Sequence, residues 1–165
     1  MLDLVALAIK DGWTSARRDD YPVTLEYFQA LRSEHPEDPR TQYALACALD
    51  YSGLEAGAAE EYERCDWSAL PDDDRRGGRV QYASTLRNLG RHDEALAVLR
   101  VVRQEHRLDG AAAVFTALTL VDLGNAAAGV AELANHLLDV SDDQRLLRYE
   151  WALRRYIGAI GTSPS

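Results

Sequence analysis

A helical pattern that runs into a glycine recurs three times at nearly constant spacing. This repeat limits the chain to paired, stacked helices more tightly than any other feature. The copies are Leu49-Asp50-Tyr51-Ser52-Gly53-Leu54-Glu55-Ala56-Gly57-Ala58, Leu86-Arg87-Asn88-Leu89-Gly90-Arg91-His92-Asp93-Glu94-Ala95 and Leu120-Val121-Asp122-Leu123-Gly124-Asn125-Ala126-Ala127-Ala128-Gly129. Their turn glycines lie 37 and 34 residues apart, and each is followed five places later by Ala58, Ala95 or Gly129. An earlier copy lacks the glycine: Asp19-Asp20-Tyr21-Pro22-Val23-Thr24 leads into Leu25 and Phe28, with Thr24 standing 34 residues before Ala58.

Glycine accepts the left-handed conformation that ends a helix. The small residue beyond it lets the second helix approach the first, so Ala46 with Ala58, Ala83 with Ala95 and Ala117 with Gly129 are expected close pairs. Larger residues fill the gaps between them: Leu45, Leu49 and Tyr62; Tyr82, Leu86 and Leu99; Leu120 and Leu133. Apolar residues at helical spacing, as in Leu96, Leu99 and Val102, predict nine helices over 3–18, 21–34, 39–52, 54–65, 73–89, 91–106, 109–123, 125–138 and 142–159. The stretch Trp67-Ser68-Ala69-Leu70-Pro71-Asp72-Asp73-Asp74 is expected to be irregular and to absorb the three extra residues of the middle period. Ser141-Asp142-Asp143 reads as a helix N-cap with acids in the first turn. No linker is long enough to divide the chain, so one domain over 1–165 is expected.

Composition narrows the function classes. The net charge is −9, and the arginines are interspersed with acids. Binding to nucleic acid or to an anionic membrane surface calls for a basic stripe instead. One lysine, Lys10, among 18 basic residues points to a GC-rich, bacterial genome. Cys47 and Cys65 form no CxxC pair, which suits a reducing cytoplasm. The run Met1-Leu2-Asp3-Leu4-Val5-Ala6-Leu7-Ala8-Ile9-Lys10-Asp11 lacks a basic start and is broken by charge, so a signal peptide is not expected. No apolar stretch approaches the ~20 residues of a membrane span.

With Gly12, Tyr21, Phe28 and Pro36 in the first copy, Ala46, Ala58 and Tyr62 in the second, and Ala83 and Ala95 in the third, the sequence resembles the tetratricopeptide repeat superfamily. The segment from Ala83 to Leu96, with Asp73-Asp74-Arg75-Arg76 and Arg145-Leu146-Leu147-Arg148-Tyr149, resembles the small bacterial subgroup called tetratricopeptide repeat group 5. Thr24 and Gly129 replace the pattern's alanines, His136 replaces a small packing residue, and Arg107 stands where a terminal proline would. The resemblance implies an all-α fold: a tetratricopeptide-like α-α superhelix of about four hairpins (3–36, 39–65, 73–106, 109–138) and a C-terminal capping helix (142–159). It implies protein interaction and supplies no catalytic residue, cofactor or metal site.

In such a stack the first helix of each hairpin lines a concave groove. Spacing places Ile9, Trp13 and Arg17, then Tyr43, Cys47, Asp50 and Tyr51, then Val80, Ser84, Arg87 and Asn88, then Leu118 and Asp122 on that face, a surface suited to an extended or helical peptide. Arg87, Asn88 and Asp122 either contact a ligand or bond locally at helix ends. Trp13 and Tyr43 serve either packing or the groove. The basic clamp by which chaperone-binding relatives hold a terminal carboxylate is missing, its places being taken by Ile9, Trp13 and Ala44. In the tail, Leu146, Tyr149, Leu153, Tyr156 and Ile160 form one stripe expected to cover the last hairpin, and Leu147 with Trp151 a second. Trp151 is expected either to wedge into that hairpin or to support self-association as a homodimer. Chemistry is sparse. His35 and His106 sit at helix ends where the dipole favours them, no HExxH, phosphate loop or paired-cysteine metal motif occurs, and Cys47 has no histidine tied to it by sequence. A non-catalytic adaptor for a protein or peptide is the expectation, with a self-associating structural module as the alternative.

Overall fold

The computed structural model describes residues 3–160. Met1, Leu2 and residues 161–165, which the single-domain expectation also took in, lie outside the described residues. Among those described, the chain forms ten α-helices: α1 (Leu4–Ser15), α2 (Tyr21–Glu34), α3 (Pro39–Tyr51), α4 (Glu55–Glu63), α5 (Asp72–Asn88), α6 (His92–Glu105), α7 (Gly110–Asp122), α8 (Ala126–Val140), α9 (Gln144–Leu147) and α10 (Glu150–Ile160). They fall into two compact units that divide between Leu89 and Gly90.

The repeat glycines behave as their spacing predicts. Gly53, Gly90 and Gly124 have φ of 73°, 74° and 79°. At two of these turns the amide beyond the glycine reaches back to the helix just ended: Leu54 N–H donates to the Leu49 carbonyl (2.9 Å) and Asn125 N–H to the Leu120 carbonyl (2.8 Å). Such bonds satisfy carbonyls that a helix end leaves open.

In the first unit, α1, α2 and α3 pack around Phe28, Leu31, Ala44 and Ala48, with Ala8, Ile9, Trp13, Leu25 and Leu45 against them. Gly12 makes room for this. A Cβ there would come within 2.5 Å of the Tyr27 ring and 2.8 Å of the Phe28 ring. Tyr27 is held in turn by donating its hydroxyl to the Ala8 carbonyl at 2.8 Å. Arg40 ties α1 to α3. Its guanidinium meets Asp3, the N-cap of α1, at 2.5 Å and Asp38, the N-cap of α3, at 2.6 Å.

The stretch expected to be irregular is ordered. Trp67–Ala69 form a 3₁₀ turn, with the Asp66 side chain accepting from Ser68 N–H. That turn sets the Trp67 ring in near-parallel planes with Tyr62 (6.1 Å) and Tyr82 (6.2 Å). Gly78 is the complement: a Cβ on it would stand 2.6 Å from Tyr43 and 2.9 Å from Trp67.

In the second unit α7 and α8 form the hairpin. A Cβ on Gly129 would lie 2.7 Å from the Ala117 carbonyl oxygen, so these helices meet as closely as the repeat predicts. Asp139 on α8 receives Arg107 at 2.8 Å and Arg154 of α10 at 2.9 Å, and these guanidinium bonds hold its carboxyl below the usual carboxylate range.

Two helix expectations are corrected. The first helix ends at Ser15, not at residue 18. Ala16 and Arg17 are extended, Arg17 N–H donates to Thr24 Oγ1, and Arg18–Asp20 form a 3₁₀ turn. The helix expected over 142–159 is broken at Arg148 and Tyr149 into α9 and α10. Its N-cap is Asp143, which accepts from Arg145 N–H, while the Ser141 hydroxyl takes the Asp143 N–H. The break shifts the apolar phase. Ile157 is the residue of α10 that is buried, and Tyr149 and Tyr156 of the predicted covering stripe are exposed.

Candidate functional site

The first unit contains a cleft of about 640 Å³. Ala6, Ile9, Lys10 and Trp13 of α1 form one wall, with Arg18 beyond them. Arg40, Tyr43, Ala44, Cys47, Asp50 and Tyr51 of α3 form the middle, and Pro71, Asp74 and Gln81 close the far side. A second depression of about 910 Å³ lies over the α2–α3 turn, lined by prolines and acids without an aromatic wall. The cleft is the better candidate because apolar walls and a few converging polar groups mark a binding site more than volume does.

Each aromatic wall has a structural anchor. Trp13 lies 4.6 Å from Phe28 and edge-on to Tyr51 at 5.8 Å. Arg18 lies over the Tyr51 ring at 5.0 Å. The Tyr43 and Tyr62 hydroxyls and the Cys47 thiol gather 3.3, 3.4 and 3.2 Å from Gln81 Oε1. Burial drives the tyrosine pKa values above the ordinary phenol range and pushes the Cys47 thiol up to about 12, so the thiol stays protonated. A protonated thiol is a poor nucleophile. Asp50 is half-buried, and that desolvation raises its pKa against the lowering effect of Thr85. Thr85 Oγ1 stands 2.9 Å from Asp50 and 3.1 Å from the Gln81 carbonyl, so one hydroxyl proton serves two acceptors.

A family model described as tetratrico peptide repeat matches residues 39–159. The chain belongs to the tetratricopeptide repeat family. The solved structure of the MamA RS-1 ArsTM double mutant aligns over 99% of this chain and 99% of that one, with a TM-score of 0.64 and 15% identity, a likeness that shows the fold. No curated protein matches the chain. An all-α tetratricopeptide fold and a general role in protein interaction follow from the family. No helix is long and apolar enough to cross a membrane among the described residues.

Against the tetratricopeptide spacing, Trp13, Tyr43, Asp50 and Tyr51 come together in the cleft, joined by Ile9 and Cys47. Ala44 also lines it, so all three residues in the places of the chaperone-tail clamp are here, and none is basic. Arg17 is elsewhere: it is exposed and pairs with Asp19 at 3.1 Å. Because α1 ends early, helical phase no longer carries Arg17 to this face, and Arg18 arrives instead. On α5 the inner face is one residue off the expected register. Val80 is buried, Gln81 lines the cleft, and Ser84, Arg87 and Asn88 do not. Asn88 is the last residue of α5. In the second unit Leu118 is exposed, and Asp122 is the last residue of α7.

Sequence reasoning missed Lys10, Arg18, Arg40, Asp74 and Gln81 as lining residues. Asp74, which closes the stretch expected to be irregular, lies in the first turn of α5, where an acid also suits the helix dipole. In the tail, Trp151 is 77% exposed, so it does not wedge into the preceding hairpin. Arg155 lies over its ring at 5.9 Å, and Leu147 is partly buried.

Proposed function

We propose that the protein is a non-catalytic adaptor that binds a peptide or protein segment in the cleft of its first unit. The observation that carries this reading is the convergence of Trp13, Tyr43 and Tyr51 with Asp50 and Asp74 in one cleft that stays open to solvent. Aromatic side chains already fixed by their neighbours offer contact area at small further entropic cost. The protonated Cys47 thiol argues against nucleophilic chemistry there. Two free cysteines and the arginine-rich basic composition support a bacterial cytoplasm as the setting.

The test is affinity capture from the native lysate with wild-type protein and a Tyr43→Ala variant shown to be helical by circular dichroism. A partner held by wild type and lost by the variant supports the adaptor. Equal capture by both places the interface elsewhere.

The exposure of Trp151, beside exposed Tyr149 and Tyr156, favours a second reading, a self-associating module that forms a homodimer through the tail, with Leu147 at the margin of the contact. Trp151→Glu then halves the mass in light scattering. A mass unchanged by the substitution rules this reading out.

A further inference from the structure

Burial sorts the charges around the cleft by sign. The cations stand at its edge. Lys10 and Arg18 are exposed, and Arg40 is already engaged by Asp3 and Asp38. The carboxylates lie deeper. Asp50 and Asp74 are both partly buried, neither forms an ion pair among the described residues, and both act on the Cys47 thiol electrostatically. Arg18 is the cation that acts on Asp50, but its guanidinium rests on the Tyr51 ring.

Asp50 is also badly placed for its own helix. It lies in the last turn of α3, where the helix dipole is negative and disfavours an anion. Thr85, its hydrogen-bond donor, is shared with the Gln81 carbonyl. A half-buried carboxylate with a shared donor, no ion-pair partner among the described residues and an unfavourable dipole breaks the local rules of a stable helix, and such breaks gather at functional positions. What would compensate all of them at once is a cation brought from outside. The neighbouring ring faces of Trp13, Tyr43 and Tyr51 add attraction for the same charge.

We propose that the cleft takes a basic side chain, lysine or arginine, of a partner peptide, with its cationic head against Asp50 and its aliphatic stem along Trp13, Tyr43 and Tyr51. This rests on the peptide-binding reading above and names the chemistry of the residue bound. A net charge of −9 also draws a basic segment toward the protein from a distance.

The probes are capped peptide pools, randomised at the flanking positions and fixed at the centre as arginine, lysine, citrulline, glutamate or leucine. They are titrated into the ¹⁵N-labelled full chain while the Trp13 indole and Tyr51 amide signals are followed. The arginine and lysine pools are expected to shift both signals and to bind about tenfold tighter than the citrulline pool, the range of a hydrogen bond to a charged group. Asp50→Asn is expected to remove that preference while leaving citrulline binding unchanged. Asp50→Ser is an independent second variant if Asp50→Asn does not fold, and Asp74→Asn, roughly 16 Å along α5 from the Thr85 that holds Asp50, is expected to keep the preference. Glutamate or leucine pools that shift the cleft signals as strongly would overturn the basic-residue proposal and leave the cleft as a peptide site. No shift from any pool would overturn both. A charge preference unchanged in the Asp50 variants, or lost in Asp74→Asn alone, would overturn the role of Asp50.

Discussion

Gly129 has no side chain because the Ala117 carbonyl oxygen occupies the place one would need, 2.7 Å from where its Cβ would stand. Backbone cannot swing aside as a side-chain end can. Gly129→Ala is therefore expected to destabilise the protein by about 1–3 kcal/mol, the cost of overpacking. Intrinsic helix propensity alone predicts the reverse sign, a gain of about 1 kcal/mol. A urea midpoint that rises in the variant would show that the two helices are not held at this distance. Asp50 carries the opposite expectation. Its pKa is raised by burial, so the folded state penalises its charged form at neutral pH. An asparagine still accepts the Thr85 hydrogen bond without that charge. Asp50→Asn is expected to raise the thermal midpoint while weakening peptide binding, the trade expected of a residue kept for function. A lowered midpoint would make Asp50 a structural residue.

At the scale of elements, short non-helical pieces position the cleft, and these were hardest to read in the sequence. The hairpin turns were legible because glycine at positive φ has a local cause visible in the residue itself. The 3₁₀ turn at Trp67 has no such signature, since its order comes from rings contributed by α4 and α5. Trp67→Ala is expected to cost about 3 kcal/mol, as for an aromatic removed from a packed cluster, with the loss read by chemical denaturation. A cost near zero would mean that the turn only spans the gap. The anchor of α1 was equally hidden, because Asp3 and Arg40 are 37 residues apart and meet only in three dimensions. The Arg40 side chain, chiefly, and the Ala6 amide hold the Asp3 pKa down at about 2, against its ordinary 3.8. A depressed carboxylate stabilises the fold fully above the unfolded value and loses that contribution as pH falls through the folded one. Amide exchange in α1 should therefore accelerate ahead of the other helices between pH 3.8 and about 2. Arg40→Ala should bring the same acceleration at neutral pH. If α1 stays protected in the variant, packing at Trp13 and Phe28 is sufficient to hold it.

For the molecule as a whole, periodicity was enough to reveal the family and the all-α fold, because each repeat buries its apolar face by one local rule applied again. The cleft was legible in part. Trp13, Tyr43, Asp50 and Tyr51 lie on uninterrupted helical phase, whereas Arg17 was displaced by the early end of α1 and Gln81 by a one-residue shift of α5. The tail was misjudged for a related reason: the break at Arg148 and Tyr149 rotates α10, which buries Ile157 and leaves Trp151 in solvent. The adaptor and self-association readings thus rest on different faces in different units, and one measurement separates them. A photo-crosslinking residue, p-benzoylphenylalanine, is placed at position 43 in one protein and at position 151 in another, and each is irradiated in the native lysate. The account predicts an adduct with a second protein from position 43, competed away by an excess of the arginine-centred peptide pool. Adducts from position 151 alone, at twice the mass of the chain, would contradict it.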